Sequence, residues 1–326
     1  MPRINRIGVL TSGGDSSGMN AAIRAVVRTA IFQNVEVFGI CRGYEGLIDG
    51  QFEQMYSYSV SNIIQRGGTI LKTARSQRFM EREGRDMAYS NLKKFDIDGL
   101  IAIGGNGTFT GAGIFDEEND FPIIGLPGTI DNDLYGTDAT IGYDTAINTV
   151  VEACDKIRDT ANSHERLFFI EVMGRDAGFI ALRSGIAVGA EFILVPETTT
   201  YIDNLTRLLK HDWRKSKTSG LVIVAEGDDF GGAYAVAKKV KEKLPEMDTR
   251  VTVLGHIQRG GAPSAYDRVL ASTLGYEAVN ALLDGQRGVM VGIISSKVAF
   301  TPFEKAIKHH KDINLQMLEM SRILAL

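Results

Sequence analysis

Cysteine is nearly absent: Cys41 and Cys154 are the only two in 326 residues. Two thiols so far apart make neither a metal signature nor a disulfide framework. Both are expected as inert thiols in the core or at an element end. No apolar run approaches the ~18 residues of a membrane-spanning helix, and the chain enters a strand without a secretion leader. A soluble, cytoplasmic protein with no membrane partner is therefore expected. An excess of positive charge is also missing. The formal net charge is −4, which argues against nucleic-acid binding through a broad basic field, so any cationic site must be local. Low-complexity linkers and short-period repeats are absent. There is no Walker A sequence. No strand carries GxGxxG with an acidic residue ~20 positions on, which disfavours a nicotinamide dehydrogenase.

Glycine, by contrast, is abundant, with 36 residues that fall mostly at the ends of apolar runs. Such positions suit loops that approach a ligand closely. The composition is 44% apolar and 23% charged, that of an ordinary globular protein, and the length allows two domains or one large one.

Strand and helix signals alternate along the chain. Apolar runs at 7–10, 35–40, 99–103, 121–124, 167–172, 192–195, 221–225, 250–254 and 289–293 predict strands. Helical spacing predicts helices over 19–32, 84–94, 144–159, 202–217 (with the sole tryptophan, Trp213), 234–243 and 264–283. This alternation implies an α/β fold with mostly parallel sheets.

Three predicted strand ends are glycine-rich and polar: 11–18, 104–108 and 125–133. Strand, glycine-rich loop and helix is a geometry that cradles phosphate on backbone N–H groups. Each loop alone also reads as a tight turn. Three at one sheet edge would make a nucleotide-sized crevice. The third presents Thr129, Asp131 and Asp133. Arg24 and Arg28 share a helix face, either as solvated cations or as a phosphate site.

Taken together, LTSGGDSSGMNAAIR, QRGGT, GLPGTIDND, EVMGR and VLGHIQRGG are specific. The chain resembles the bacterial type of ATP-dependent 6-phosphofructokinase over essentially its whole length. The resemblance implies two doubly wound, mostly parallel-sheet α/β domains that exchange chain, in a homotetramer. The nucleotide-binding domain would comprise 1–142 and 255–306, and the sugar-phosphate domain 143–254 and 307–326. It implies transfer of the γ-phosphoryl of MgATP to the 1-hydroxyl of fructose 6-phosphate.

Residue by residue, the resemblance makes Asp131 the catalytic base, a role that needs a carboxylate within reach of the hydroxyl. Arg75 and Arg175 would contact the transferring group, and Thr129 and Asp133 would lie beside phosphate and substrate. Gly13, Tyr44, Ser76, Gly105, Asn106, Gly107 and Thr108 would line the nucleotide site with Arg75. Met173, Gly174, Glu226, His256 and Arg259 would hold the sugar phosphate. Arg166 and Arg250 would reach the 6-phosphate of a neighbouring subunit. Arg24, Arg28, Arg158, Glu191, Lys215 and Lys217 match an effector site for ADP or phosphoenolpyruvate. Gly107 and Gly128 stand where pyrophosphate-dependent relatives carry Asp and Lys, so ATP is the expected donor.

Departures from the family pattern are few. Asn106 replaces an Asp that helps hold Mg²⁺, an ion usually held by one or two carboxylates plus phosphate oxygens. It would hold the metal with Asp133, giving weaker MgATP binding or slower transfer. The alternative is a regulatory subunit of the same fold that binds nucleotide without turnover. Ser17 stands where Pro is common, a change a loop tolerates. Ser76 and Met80 stand where relatives place an aromatic and an Arg against adenine, with Arg85 still available. Ser57 and Asn62 depart from the effector pattern.

Overall fold

The apolar run at residues 7–10 forms β1 (Arg6–Thr11) in the computed structural model, which describes residues 4–213, 219–309 and 311–325. The chain divides into two units. Residues 1–130, 134–145 and 259–311 make the first, and residues 131–133, 146–258 and 312–326 the second. After β1 come α1 (Met19–Phe32), β2 (Glu36–Ile40), α2 (Gly43–Asp49), β3 (Phe52–Met55), α3 (Arg82–Lys94), β4 (Gly99–Gly104), α4 (Asn106–Asn119) and β5 (Ile123–Pro127). Then α5 (Tyr143–His164) leads into the second unit, followed by β6 (Arg166–Val172), α6 (Phe179–Ala187), β7 (Phe192–Leu194), α7 (Ile202–Trp213), β8 (Gly220–Ala225), α8 (Gly232–Lys243) and β9 (Asp248–Val253). The first unit resumes with α9 (Ala265–Leu283), β10 (Val289–Ile294), β11 (Lys297–Pro302) and α10 (Phe303–Lys308), and α11 (Leu315–Leu324) belongs to the second.

The first unit holds a seven-stranded sheet in the order β11-β10-β5-β4-β1-β2-β3. Its central strands β1, β4 and β5 are parallel neighbours. Every residue of β4 and β5 is buried, as expected of parallel strands covered on both faces. In β1, Ile7 and Val9 belong to one core cluster and Leu10 to another, so alternate residues feed opposite faces. Helices α1 and α9 pack on the Ile7 face. Their approach is so close that a Cβ on Gly275 would stand 2.8 Å from that of Ala25. On the other face Phe109, Phe115 and Phe303 fill the space over Leu100 and Ala102.

The second unit holds a four-stranded sheet in the order β7-β8-β6-β9, every pairing parallel. Leu167, Phe169, Val222 and Val224 project to one face, where Val236 and Val240 of α8 cover them. Two mostly parallel α/β sheets are what the alternation of signals implies. Among the described residues, no helix is long and apolar enough to cross a membrane.

Several elements carry no sequence signal of the kind used above. β3 and β11 are edge strands that pair antiparallel with β2 and β10. Edge strands bury little, so FEQM and KVAFTP show no apolar run. The β10–β11 turn uses Ser295 and Ser296, both at positive φ (50° and 63°), a geometry more often signalled by Asn-Gly. The helix expected over 202–217 is described to Trp213. Cys154 is buried, and desolvation pushes its thiol up to about 12, in keeping with an inert core residue. Burial likewise raises the Cys41 thiol.

Candidate active site

In the first unit the strand order reverses at β1. β2 and β3 lie to one side of it, β4 and β5 to the other. The carboxyl ends of β1 and β4 therefore flank a topological switch point, the place where open α/β sheets bind ligands. Gly13 (φ 87°) and Gly18 (φ 115°) give the loop after β1 its left-handed turns. Ser12 N–H donates to Ile103 O at 3.0 Å, and Thr108 Oγ1 donates to Ser12 O at 3.1 Å. A Cβ on Gly104 would come within 2.3 Å of Thr108 Oγ1 and 2.5 Å of Ser12 O, so the two loops meet only because that residue is glycine.

Gly105 precedes α4 as an N-cap without a side-chain bond. The first-turn N–H groups of a helix lack intrahelical partners and favour an anion. Gly107 is exposed, and a Cβ there would meet nothing within 4 Å. Half-buried Asn106 is the first residue of α4, and its backbone oxygen accepts from Thr110 Oγ1 at 2.9 Å. Thr129 follows β5. It is buried, and its backbone oxygen accepts from Thr140 Oγ1 at 2.6 Å. The segment bearing Arg75 is tied to the same loops, because Thr73 Oγ1 donates to Gly13 O at 2.8 Å. Arg75 itself is exposed.

Gly128 differs from Gly107. Its Cβ would point into the core, 2.9 Å from Ile103 Cγ2 and 3.0 Å from Met19 Cε. Tyr44 is buried and stacked on Phe79 (centroids 3.9 Å apart, planes at 3°), with its hydroxyl donating to Thr108 O at 2.6 Å. Desolvation pushes its phenol well up. Ser76 Oγ donates to Glu45 Oε2 at 2.5 Å. That bond, with Arg78 at 2.7 Å, holds the Glu45 carboxyl below the usual range. Arg85, read from sequence as available to adenine, is buried and engaged. It donates to the carbonyls of Phe79 and Met80 at 3.0 and 2.7 Å and pairs with Glu118 at 2.6 Å.

In the second unit, Arg175 Nε lies 3.7 Å from Oδ2 of buried Asp131. Asp133 is half-buried two residues on. Met173, Gly174 and Arg175 follow β6, Glu226 follows β8 and His256 follows β9, so neighbouring strands present them at one edge. Glu226 Oε1 accepts from Gly174 N–H at 3.2 Å and Arg175 N–H at 2.8 Å. That grip fixes Arg175 in the left-handed region (φ 53°). Close behind it, a Cβ on Gly227 would strike Arg175 O at 1.9 Å. Arg175, Glu226 and His256 are exposed.

Arg166 and Arg250 are not brought to that edge. They stand in the amino-terminal halves of β6 and β9, with Arg166 about 20 Å from the far end of its strand at ~3.3 Å per residue. Both pair with Asp248, Arg166 at 2.8 Å. The hydrogen bond from Arg166, then the charge of Arg250, hold the Asp248 carboxyl low. Arg259 belongs to the first unit, where it donates to Asp15 O at 3.1 Å.

Of the effector set, Arg24 and Arg28 lie on α1 in the first unit. Burial and then the neighbouring Arg28 lower the Arg24 pKa. Arg158 and Glu191 lie in the second unit. Arg158 donates to the carbonyls of Val188 and Gly189, and Glu191 accepts from Leu221 N–H at 2.5 Å. Lys215 and Lys217 lie outside the described residues.

Sequence reasoning missed residues that hold the site. Buried Gln258 accepts from Met173 N–H at 3.2 Å and donates to Gly255 O at 3.0 Å. Buried Asn20 donates to Arg66 O and Gly67 O and accepts from Ile70 N–H at 2.8 Å. Both sit inside quoted motifs, which was the available signal.

Comparison with known proteins adds a family match, two similar sequences and two similar structures. A sequence model of the family described as phosphofructokinase matches residues 6–282. The chain is 56% identical over 326 residues to "ATP-dependent 6-phosphofructokinase 2" of Bacteroides thetaiotaomicron, covering 100% of both. It is 57% identical over 323 residues to "ATP-dependent 6-phosphofructokinase 1" of Thermus thermophilus, covering 99% of this chain and 100% of that one. Among solved structures, phosphofructokinase from Saccharomyces cerevisiae superposes with TM-score 0.87 at 37% identity, over 93% of this chain and 45% of that one. A pyrophosphate-dependent phosphofructokinase from Marinobacter aquaeolei shares the fold (TM-score 0.85) at 23% identity.

Proposed function

The chain belongs to the phosphofructokinase family, and on that premise we propose how its residues carry out the reaction of an ATP-dependent 6-phosphofructokinase. The protein phosphorylates fructose 6-phosphate with ATP, a step of glycolysis. The observation that carries the donor half of the proposal is the pair of glycine-rich strand ends, β1 and β4, flanking one switch point. Backbone N–H groups of the Gly13 loop and of Gly105, Asn106 and Gly107 at the α4 start bind the donor phosphates, with Thr108 lining the same site. Exposed Arg75 and Arg175 supply guanidinium charge to the transferring group, where preorganised cations stabilise the transition state. Tyr44 and Ser76 border the nucleoside side.

On the acceptor side, Asp131 takes the proton of the 1-hydroxyl as that oxygen bonds to the γ-phosphorus and the bond to the ADP oxygen breaks. Burial of Asp131 beside Arg175 supports this role. Thr129 and Asp133 orient the reacting groups. Met173, Gly174, Glu226, His256 and Arg259 hold the sugar phosphate.

The residues present fit Mg²⁺. Asn106 and Asp133 offer hard oxygen donors. Mg²⁺ keeps waters and substrate phosphates among its ligands and needs few protein oxygens. When bound, Mg²⁺ neutralises charge on the donor phosphates.

The first unit serves mainly the nucleotide, while contributing Arg259 to the sugar phosphate, and the second serves mainly the sugar phosphate. Arg166 and Arg250, remote from the Met173 edge, serve the 6-phosphate of a neighbouring subunit in a cytoplasmic homotetramer. Arg24, Arg28, Arg158, Glu191, Lys215 and Lys217 serve an ADP or phosphoenolpyruvate effector. A nucleotide-binding regulatory subunit remains the second reading, and Asn106 is what favours it. A coupled assay with fructose 6-phosphate and either MgATP or pyrophosphate tests both. ADP and fructose 1,6-bisphosphate are expected from ATP and nothing from pyrophosphate. ATP binding without turnover would overturn the enzyme reading in favour of the regulatory one.

A further inference from the structure

Ser17 is buried in the phosphate loop, and its partners lie in one short distant segment. Its Oγ stands 3.0 Å from Gly261 O, 3.1 Å from Gly260 O and 3.5 Å from Arg259 O. Contact runs the other way too. The Arg259 guanidinium donates to Asp15 O at 3.1 Å, and it lies so close over Gly14 that a Cβ there would be 2.6 Å from Arg259 Nη1. The loop thus gives a hydroxyl to the 259–261 strap and takes a guanidinium from it. Gly67 also packs against the same carbonyl, since a Cβ there would strike Gly261 O at 2.3 Å. Asn20, three residues after Ser17, binds the carbonyls of Arg66 and Gly67. Three segments, 14–20, 66–70 and 259–261, therefore meet at a joint where the Ser17 hydroxyl reaches the carbonyls of the 259–261 strap.

We propose that Ser17 is a positioning residue that acts through Arg259. By holding the carbonyls of the strap, it fixes where the Arg259 guanidinium lies relative to the phosphate loop. Donor loop and sugar-phosphate arginine are then set together, so a change in the loop registers in the binding of the sugar phosphate. This rests on the reading of Arg259 given above. Ser16 provides the internal control. Its hydroxyl is equally buried in the same loop but donates to Ile141 O at 2.8 Å, away from the strap. Loss of a buried hydroxyl as such would affect Ser16 and Ser17 alike; loss of Arg259 placement would affect Ser17 alone.

The test is a double-mutant cycle on the full chain with Ser17→Ala, Ser16→Ala, Arg259→Ala and Ser17→Ala/Arg259→Ala. Ser17→Ala is expected to raise KM for fructose 6-phosphate about fivefold, the worth of one net hydrogen bond, with kcat changed less than about twofold. Ser16→Ala should leave that KM unchanged. In the Arg259→Ala background the Ser17→Ala effect should vanish, because residues acting through one another are not additive. Additive effects, or equal KM changes for the two serines, overturn the proposal. Hydrogen exchange supplies a readout independent of activity. In Ser17→Ala, amides of 13–18 and 259–261 should exchange at least about tenfold faster, those of 139–145 staying as in wild type. If wild-type protein fails to turn over fructose 6-phosphate, the functional reading fails, and the exchange pattern still decides whether the joint exists. Unchanged exchange in 259–261 overturns it.

Discussion

Arg175 Nε stands 3.7 Å from Oδ2 of Asp131, the arginine half-exposed and the carboxylate almost wholly buried. That is too long for a hydrogen bond and short enough for a strong charge interaction. The guanidinium stays half in solvent, where the proposed function has it meet the transferring phosphoryl group. Asp131→Asn should lower kcat by about 10²–10⁴, the usual worth of a general base. Both KM values should stay within about threefold of wild type if the base acts only in the chemical step. Single-turnover rates check this. A kcat within tenfold of wild type would remove Asp131 from the role of base.

Asn106 begins α4 at the switch-point loops, where the proposed function puts the donor phosphates and Mg²⁺. On the proposed metal role, Asn106→Asp adds one negative charge beside the Mg²⁺ of the donor. The Mg²⁺ concentration giving half-maximal rate at fixed ATP should fall by about three- to tenfold. A Mg²⁺ titration of both proteins, followed by ADP release, measures it. Superimposable curves would exclude a metal role for this position.

Gly107 and Gly128 look alike as sequence and differ in space. Nothing lies within 4 Å of a Cβ on Gly107, whereas one on Gly128 would press Ile103 and Met19. Gly107→Asp should therefore keep the stability of wild type and raise KM for ATP at least about tenfold, through bulk and like charge beside the phosphates. Gly128→Ala should cost about 1–3 kcal/mol of stability through overpacking. Urea midpoints and ATP kinetics on the two variants separate the effects. A destabilised Gly107→Asp would contradict the open space seen there.

Asp267 is fully buried near the start of α9, where Ser264 is the N-cap. Its carboxylate accepts from Gly142 N–H at 2.9 Å, Thr145 N–H at 2.8 Å and Thr145 Oγ1 at 2.5 Å. Asp267→Asn replaces an accepting oxygen by a donor facing donors, and should cost about 1–3 kcal/mol. Desolvation outweighs these bonds and raises the carboxyl pKa above its ordinary value. The folded protein thus keeps this proton to higher pH than the unfolded chain. The group's contribution to stability is full below the unfolded pKa of about 3.9 and declines as pH rises through the folded value. The stability gap between wild type and Asp267→Asn should narrow as pH rises from about 4. Urea unfolding of the pair across that range tests the sign, and a widening gap would refute it.

Much of the site was legible because phosphate chemistry leaves local marks. The loop after β1 must turn through left-handed backbone at Gly13 and Gly18, so glycine is written into the chain. β4 and β5 are buried on both faces, so they read as unbroken apolar runs. Arg85 was misread because a cation near an expected ligand looks available in one dimension. Its partner Glu118 lies 33 residues on, and its carbonyl partners belong to a turn with no sequence signature.

By itself, the sequence determined the alternation of strands and helices, the glycine-rich ends of β1 and β4, the carboxylates at 131 and 133, and the absence of a broad basic field. These are properties of neighbouring residues, set by backbone sterics and by burial along one element. The tertiary structure decided which strand ends are neighbours, since β1 pairs with β4 across about ninety residues of intervening chain. It decided that Gly128 faces the core and Gly107 faces open space. It also gave Ser17 its partners, which lie 242 to 244 residues away. A hydroxyl's partner is set by where the rest of the chain has been brought, and no local pattern encodes that.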